Sequence, residues 1–258
     1  MFTLMGDHVG RLLRYYYKNE SDGLTLQQVS YFAGQILAGL AHIHERNVVH
    51  GDIKPENILM NVTALDAAAN VWDVKLKICD FGSSTTNPRA GASIGTTGYM
   101  APELIIGTKF DTSADIWSTF CVFYELHTAT MLFDVYNEAK LNYGEDVKKD
   151  LEGVTETSCD EYQLSYINLL LIEKMLGPAP KEFTLEGRTY FNARGKLKNN
   201  PQVEHIGIAD HLINNYTLNE SCTEFVKFLL TGLKYKPEER IRASAALKLD
   251  WLMQPMIL

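Results

Sequence analysis

Residues 48–60 read Val-Val-His-Gly-Asp-Ile-Lys-Pro-Glu-Asn-Ile-Leu-Met. This stretch sets an imidazole (His50), a carboxylate (Asp52), an ammonium (Lys54) and an amide (Asn57) at fixed offsets between two apolar pairs. Val48-Val49 and Ile58-Leu59 have the character of two short buried strands, so the polar residues fall on the loop that joins them. A polar loop presented by a rigid scaffold is where chemistry is usually placed. Pro55 stiffens that loop and removes one amide donor.

A second stretch supplies more of the pattern. Lys75-Leu-Lys-Ile-Cys alternates polar and apolar, the period of a half-buried strand, and runs into Asp80-Phe81-Gly82. Ala101-Pro102-Glu103 follows downstream. In order and spacing these stretches resemble the H-R-D-L-x-x-x-N, D-F-G and A-P-E motifs of eukaryotic protein kinases, with Gly51 where arginine is usual. The resemblance implies an α+β, protein-kinase-like fold and transfer of the ATP γ-phosphate to Ser or Thr of protein substrates. It assigns Asp52 to orienting the substrate hydroxyl and accepting its proton, and Lys54 to steadying the transferring phosphoryl group. Asn57 and Asp80 would hold Mg²⁺ through oxygen ligands, and Leu59 would floor the adenine pocket. Gly95-Thr-Thr-Gly-Tyr-Met resembles the G-T-x-x-Y-x run of Ser/Thr kinases, which brings the Thr96 hydroxyl near Asp52 and Lys54. Gly51 removes the arginine that meets a phosphorylated activation segment, which implies activity not gated in that way. By residue type alone, Gly51 is a turn with unusual dihedrals.

The same resemblance organises the chain. Residues 1–8 resemble the last strand and hinge of a kinase ATP site, with Phe2 as gatekeeper and the backbone near Thr3 and Met5 meeting adenine. A Gly-rich loop, a V-A-I-K lysine and a helix-C glutamate are not found, so the expectation is a mainly α-helical C-terminal lobe (9–258) with a hinge remnant and no N-terminal lobe. The activation segment is 80–103. Asp111-Thr-Ser-Ala-Asp-Ile-Trp-Ser-Thr and Met175-Leu-Gly-Pro-Ala-Pro, followed by a long insert (178–216), are similar to SR-protein kinases of the CMGC group. Basic Arg/Ser-rich protein substrates follow from that likeness, although Thr97 and Met100 stand where the group has arginines. The rival reading is a kinase lobe that binds partners without transferring phosphate.

Patterning predicts the positioning elements. Leu12, Leu13 and Tyr16 share one face of a helix over 9–19, and Val29, Phe32, Ile36, Leu40 and Ile43 one face of a longer helix capped by Thr25. His42 and His44 read as helix-end charges or surface residues. Residues 61–74 read as an insertion holding a helical turn. Residues 111–126 are apolar nearly all round after the first turn, a buried helix with Thr112 and Asp115 as its capping box, and the kinase resemblance implies in addition that Asp115 holds the backbone of the 48–60 loop. Ser221 with Glu224 is a second box. Residues 132–160 are expected to be irregular and exposed. Arg240, in a P-x-x-R turn, is expected to pair with Glu103.

Composition bounds the rest. The chain has 258 residues, 46% of them apolar, enough for one sizeable core. A net charge of −8 argues against nucleic-acid binding through a basic face and favours basic partners. The four cysteines form no C-x-x-C pair, which suits a reducing compartment, cytoplasmic or nuclear. No apolar run reaches membrane-spanning length.

Overall fold

The computed structural model describes residues 5–19, 21–143, 160–198, 204–215 and 220–253. Helices dominate. α1 (Val9–Lys18) buries Val9, Leu12 and Leu13. α2 (Leu26–His44) starts at a capping box in which Gln28 does the work of the more usual glutamate: Thr25 Oγ1 accepts from Gln28 N, and Gln28 Oε1 accepts from Thr25 N at 2.9 Å. Its predicted face holds, with Val29, Phe32, Ile36 and Leu40 all buried.

The expected strand pair is only half right. β1 (Ile58–Met60) pairs antiparallel with β2 (Leu76–Ile78), in the register Ile58 to Ile78 and Met60 to Leu76. Val48-Val49 is no strand. Val49 makes one isolated bridge to Thr85, with both N–H···O bonds at 2.9 Å. Asn47 and Gly51 both have positive φ, so the chain turns on either side of Val49 and no ladder can extend. Between β1 and β2 the insertion folds as α3 (Ala64–Ala69) and a short turn. Gln35 of α2 donates to Val74 O and accepts from Leu76 N, which satisfies backbone that lacks a strand partner there.

A short helix, α4 (Pro102–Ile105), precedes the central helix α5 (Ser113–Thr128), which is buried on almost every side. The capping box expected at its start does not form. Thr112 is already helical and makes no side-chain cap, and Asp111 Oδ1 accepts from Ser113 N at 2.8 Å instead. Residues 132–143 depart from the exposed coil expected of them: α6 (Val135–Tyr143) forms and Phe133, Val135 and Ala139 are fully buried. The rest of that acidic stretch, to residue 159, lies outside the described residues. α7 (Glu161–Leu176) stops at Gly177, whose φ of +83° suits only glycine without strain. α8 (Lys181–Glu186) and α9 (Ile208–Asn215) follow. α10 (Glu220–Gly232) begins before Ser221, which therefore sits in its first turn and not at its cap. α11 (Ala243–Ala246) and α12 (Asp250–Met253) close the fold.

The core is aromatic where α5, α10 and α12 meet. Phe120, Phe123, Phe228 and Trp251 form a chain of ring contacts, the closest being 4.4 Å between Phe228 and Trp251. Arg240 pairs with Glu103 as expected, and the pair is buried. Both guanidinium arms reach the carboxylate at 2.6 Å. Its other hydrogens go to the carbonyls of Lys234, Ser113 and Tyr235, so all five donors are matched. A buried charge is tolerated on those terms.

Candidate active site

The predicted loop is held from beneath by α5. Asp115 is 1% exposed. Its Oδ2 accepts from His50 N at 2.8 Å and its Oδ1 from Gly51 N at 2.8 Å. His44 Nε2 lies 2.9 Å from Oδ2. His44 is the last residue of α2, at the helix end where it was expected, and its half-buried ring is also a partner of the carboxylate that fixes the loop. His50 is wholly buried. Its Nδ1 faces the amide of Asp52, which donates to it at 3.2 Å. The ring proton is thereby placed on Nε2, which donates to Cys79 O at 2.9 Å. One imidazole so joins the residue before Asp80 to Asp52. Phe81 packs edge-on against the same ring at 5.0 Å.

Above this support, three side chains close a triangle. Thr96 Oγ1 donates to Asp52 Oδ1 at 2.6 Å, and Lys54 Nζ donates to Thr96 Oγ1 at 2.8 Å. Lys54 Nζ also pairs with Asp52 Oδ2 at 2.9 Å. Burial raises the pKa of Asp52, but the hydrogen bonds from Thr96 and Lys54, the Lys54 charge and a bond from Asn57 outweigh it and hold the carboxyl below its usual range. Asp52 is thus ionised at neutral pH.

Asn57 is 6% exposed and follows a short turn opened by Pro55. Its Nδ2 donates to Asp52 O at 2.8 Å and to Asp52 Oδ2 at 3.1 Å. Both amide hydrogens are committed, which leaves the amide oxygen for a cation. Asn57 O accepts from Cys79 N at 2.9 Å, so the chain delivers Asp80 beside this turn. Asp80 has φ +61° and ψ 75°, an uncommon conformation outside glycine, stabilised by Gly82 N donating to Oδ1 at 3.2 Å. One amide oxygen and one carboxylate suit Mg²⁺, which keeps most of its shell for water and phosphate oxygens. Among the described residues no group of three or more His, Cys, Asp or Glu could hold a metal by itself.

Of the nucleotide-site residues expected from the hinge likeness, Phe2 and Thr3 lie outside the described residues. Residues 5–8 lie along β1: Gly6 N donates to Met60 O at 2.7 Å and His8 bridges Leu59. Met5 and Leu59 are both half-buried, and Leu59 points to the face opposite Ile58 and Met60.

The protein kinase domain family matches residues 2–252. This chain belongs to that family. It is 30% identical to the probable serine/threonine-protein kinase dyrk2 of Dictyostelium discoideum over 92% of the chain and 23% of that protein. It is 32% identical to mouse SRSF protein kinase 3 over 71% of the chain and 30% of that protein. The mitogen-activated protein kinase hog1 of Aspergillus clavatus is 35% identical over 65% of the chain and 42% of its own length. The chain spans under half the length of these relatives. Among the described residues no helix is long and apolar enough to cross a membrane.

One residue beside this kinase-domain site escaped sequence reasoning although it carried a signal. Glu125 is a lone carboxylate in an otherwise apolar stretch of α5, and such a group must find a partner. It accepts from Tyr99 OH at 2.5 Å. Burial, with smaller contributions from Glu56 and Asp134, raises its pKa to about 7 despite the Tyr99 bond. Tyr99 in turn anchors the run that carries Thr96.

Proposed function

We propose that this kinase domain transfers the γ-phosphate of ATP to serine or threonine hydroxyls of proteins. The observation that carries this reading is the closed triangle of Asp52, Lys54 and Thr96, set beside Asn57 and Asp80. Its free valences fit the reaction. Asp52 Oδ2 already accepts from Lys54 and Asn57, whereas Oδ1 accepts only from Thr96. The substrate hydroxyl therefore meets Oδ1, which aligns its oxygen and takes its proton as the new O–P bond forms and ADP leaves. A carboxylate with a lowered pKa is a weak base, so it acts mainly by orientation and accepts the proton late. Lys54 has one hydrogen left after Thr96 and Asp52, and that hydrogen serves a γ-phosphate oxygen. Asn57 and Asp80 would hold Mg²⁺, which would supply neutralisation of the phosphate charge.

The favoured substrate is serine flanked by arginine. The net charge of −8 attracts a basic peptide, and the likeness to a protein named SRSF protein kinase 3 points the same way. Such substrates fit a cytoplasmic or nuclear address. The test is γ-phosphate transfer to arginine-flanked and glutamate-flanked serine peptides, with Asp52→Ala as control. Transfer that is lost in Asp52→Ala, prefers the basic peptide and weakens with salt supports the reading. Transfer that survives Asp52→Ala would refute it, and equal transfer to both peptides would refute the substrate preference alone.

A further inference from the structure

We propose that Ile94 is a positioning residue: seated on the bare backbone of Gly51, it fixes the turn that carries Thr96 to Asp52. Gly51 has φ +81° and its amide is held by Asp115. A Cβ there would stand 2.9 Å from Ser83 O and 3.2 Å from Ile94 Cδ1. The space above this loop residue is thus already filled, by one carbonyl and one terminal methyl. Gly95 repeats the arrangement. Its φ is +94°, and a Cβ would lie 3.5 Å from Gly51 O and 3.1 Å from Met100 Cγ. Two backbones approach here with no side chain between them, and Ile94 is the side chain that caps the approach.

Among the described residues, hydrogen bonds tie the stretch 81–98 to the body of the protein at two places, with Tyr99 anchored just beyond it. Thr85 bridges Val49, and Thr96 meets Asp52 and Lys54. Between them Ile94 and Ala92 are the apolar residues packed against the core. Ile94 lies two residues before Thr96, so its seat sets the direction from which the Thr96 hydroxyl arrives. The contact needs no charge. A side chain at position 51 would need a strained positive φ and would displace both Ser83 O and Ile94. The segment is therefore docked by an apolar seat, with no phosphorylated residue required.

The consequence for catalysis rests on the kinase reading above, whereas the docking contact does not. The test therefore uses the full chain and two readouts. Hydrogen exchange of residues 94–99 in Ile94→Asp should rise about tenfold or more while that of α5 stays unchanged. In steady-state kinetics, kcat should fall on the order of 10–100-fold, because a small misplacement of Thr96 disorders Asp52, with KM for ATP held within about twofold. Ile94→Leu, which keeps the apolar contact, should stay within about threefold of the parent kcat. Phosphatase treatment of the parent should leave kcat unchanged. Unchanged exchange in Ile94→Asp, or loss of kcat on phosphatase treatment, would overturn the inference and leave the kinase reading intact. Raised exchange in Ile94→Asp, with a parent chain that transfers phosphate to no protein, would instead overturn the kinase reading and leave the docking contact standing.

Discussion

Asp115→Ala should destabilise the protein by far more than a lost helix cap. A cap is worth about 1 kcal/mol. Asp115 instead accepts from two backbone amides, His50 N and Gly51 N, inside a site where the carboxylate is 1% exposed. Alanine leaves both donors buried without partners, at roughly 1–3 kcal/mol each, and also strips His44 of its partner. The expected loss is about 3–5 kcal/mol, or about 6–20 °C in Tm for a chain of this size. Asp115→Asn sharpens the test. Its one carbonyl oxygen can serve either His50 N or Gly51 N, and its NH₂ must then face the other amide. Asparagine should therefore recover little, although it would serve well as an ordinary first-turn residue. Urea unfolding with an unchanged m value gives the difference directly. If Asp115→Asn lies within about 1 kcal/mol of the parent, the carboxylate is not what holds the loop.

Three further outcomes are expected. Thr96→Val should lower kcat by about tenfold or more and move the acid limb of the rate profile to higher pH, because Asp52 loses a bond that depresses its pKa; Thr96→Ser should restore both. Glu103→Ala should cost about 3–5 kcal/mol in denaturant unfolding by leaving the buried Arg240 unpaired, while the double change Glu103→Leu with Arg240→Met should recover most of it. Glu125 has its pKa raised from 4.5 to about 7 in the folded state, so the folded protein binds the extra proton between those values. Stability should therefore fall by about 3 kcal/mol from this group as pH rises from 4.5 to 7 and then level off; Glu125→Gln, which can still accept from Tyr99, should remove that slope.

Residue type and spacing made the loop legible because its chemistry is local. Asp52, Lys54 and Asn57 lie within one turn of chain, and their offsets alone place them together. Thr96 and Arg240 were legible only through the resemblance, since nothing in their own neighbourhoods marks them. From its own neighbourhood Asp115 reads only as a cap, because the capping rule looks three residues back; its hold on the loop was legible through the resemblance, since its partners lie 64 and 65 residues away. His44 does end α2 as expected, but its partner Asp115 lies 71 residues away and was missed for the same reason. Val48-Val49 shows a different failure. Apolar character reports burial, and Val49 is indeed 1% exposed, but pairing depends on the dihedrals of Asn47 and Gly51. In residues 132–143 the error ran the other way: a polar composition hid Val135 and Ala139, whose spacing buries one edge of a helix against the core, and Phe133 just before that helix.

The central helix explains why these loops hold a fixed geometry without ladders of their own. Loop backbone cannot satisfy itself, and buried loop backbone must be satisfied by something. Asp115, Ser118 and Glu125 recur at offsets of three and seven, which places them on one stripe of α5. Each spends its polar atom outside the helix. Asp115 accepts from the loop at His50 and Gly51, Ser118 donates to Tyr99 O at 2.7 Å, and Glu125 accepts from Tyr99 OH. Tyr99 N donates to Thr96 O at 2.9 Å, so this stripe fixes both members of the Thr96–Asp52 bond, one through each loop. The neighbouring positions, Trp117, Phe120, Phe123 and Tyr124, are fully buried and set the helix in the core. A mobile α5 would let the two loops drift independently, and a 2.6 Å bond tolerates little drift. The three buried polar groups of this stripe are thus a requirement of the site, because only a helix anchored by its aromatic faces can set two irregular segments against each other.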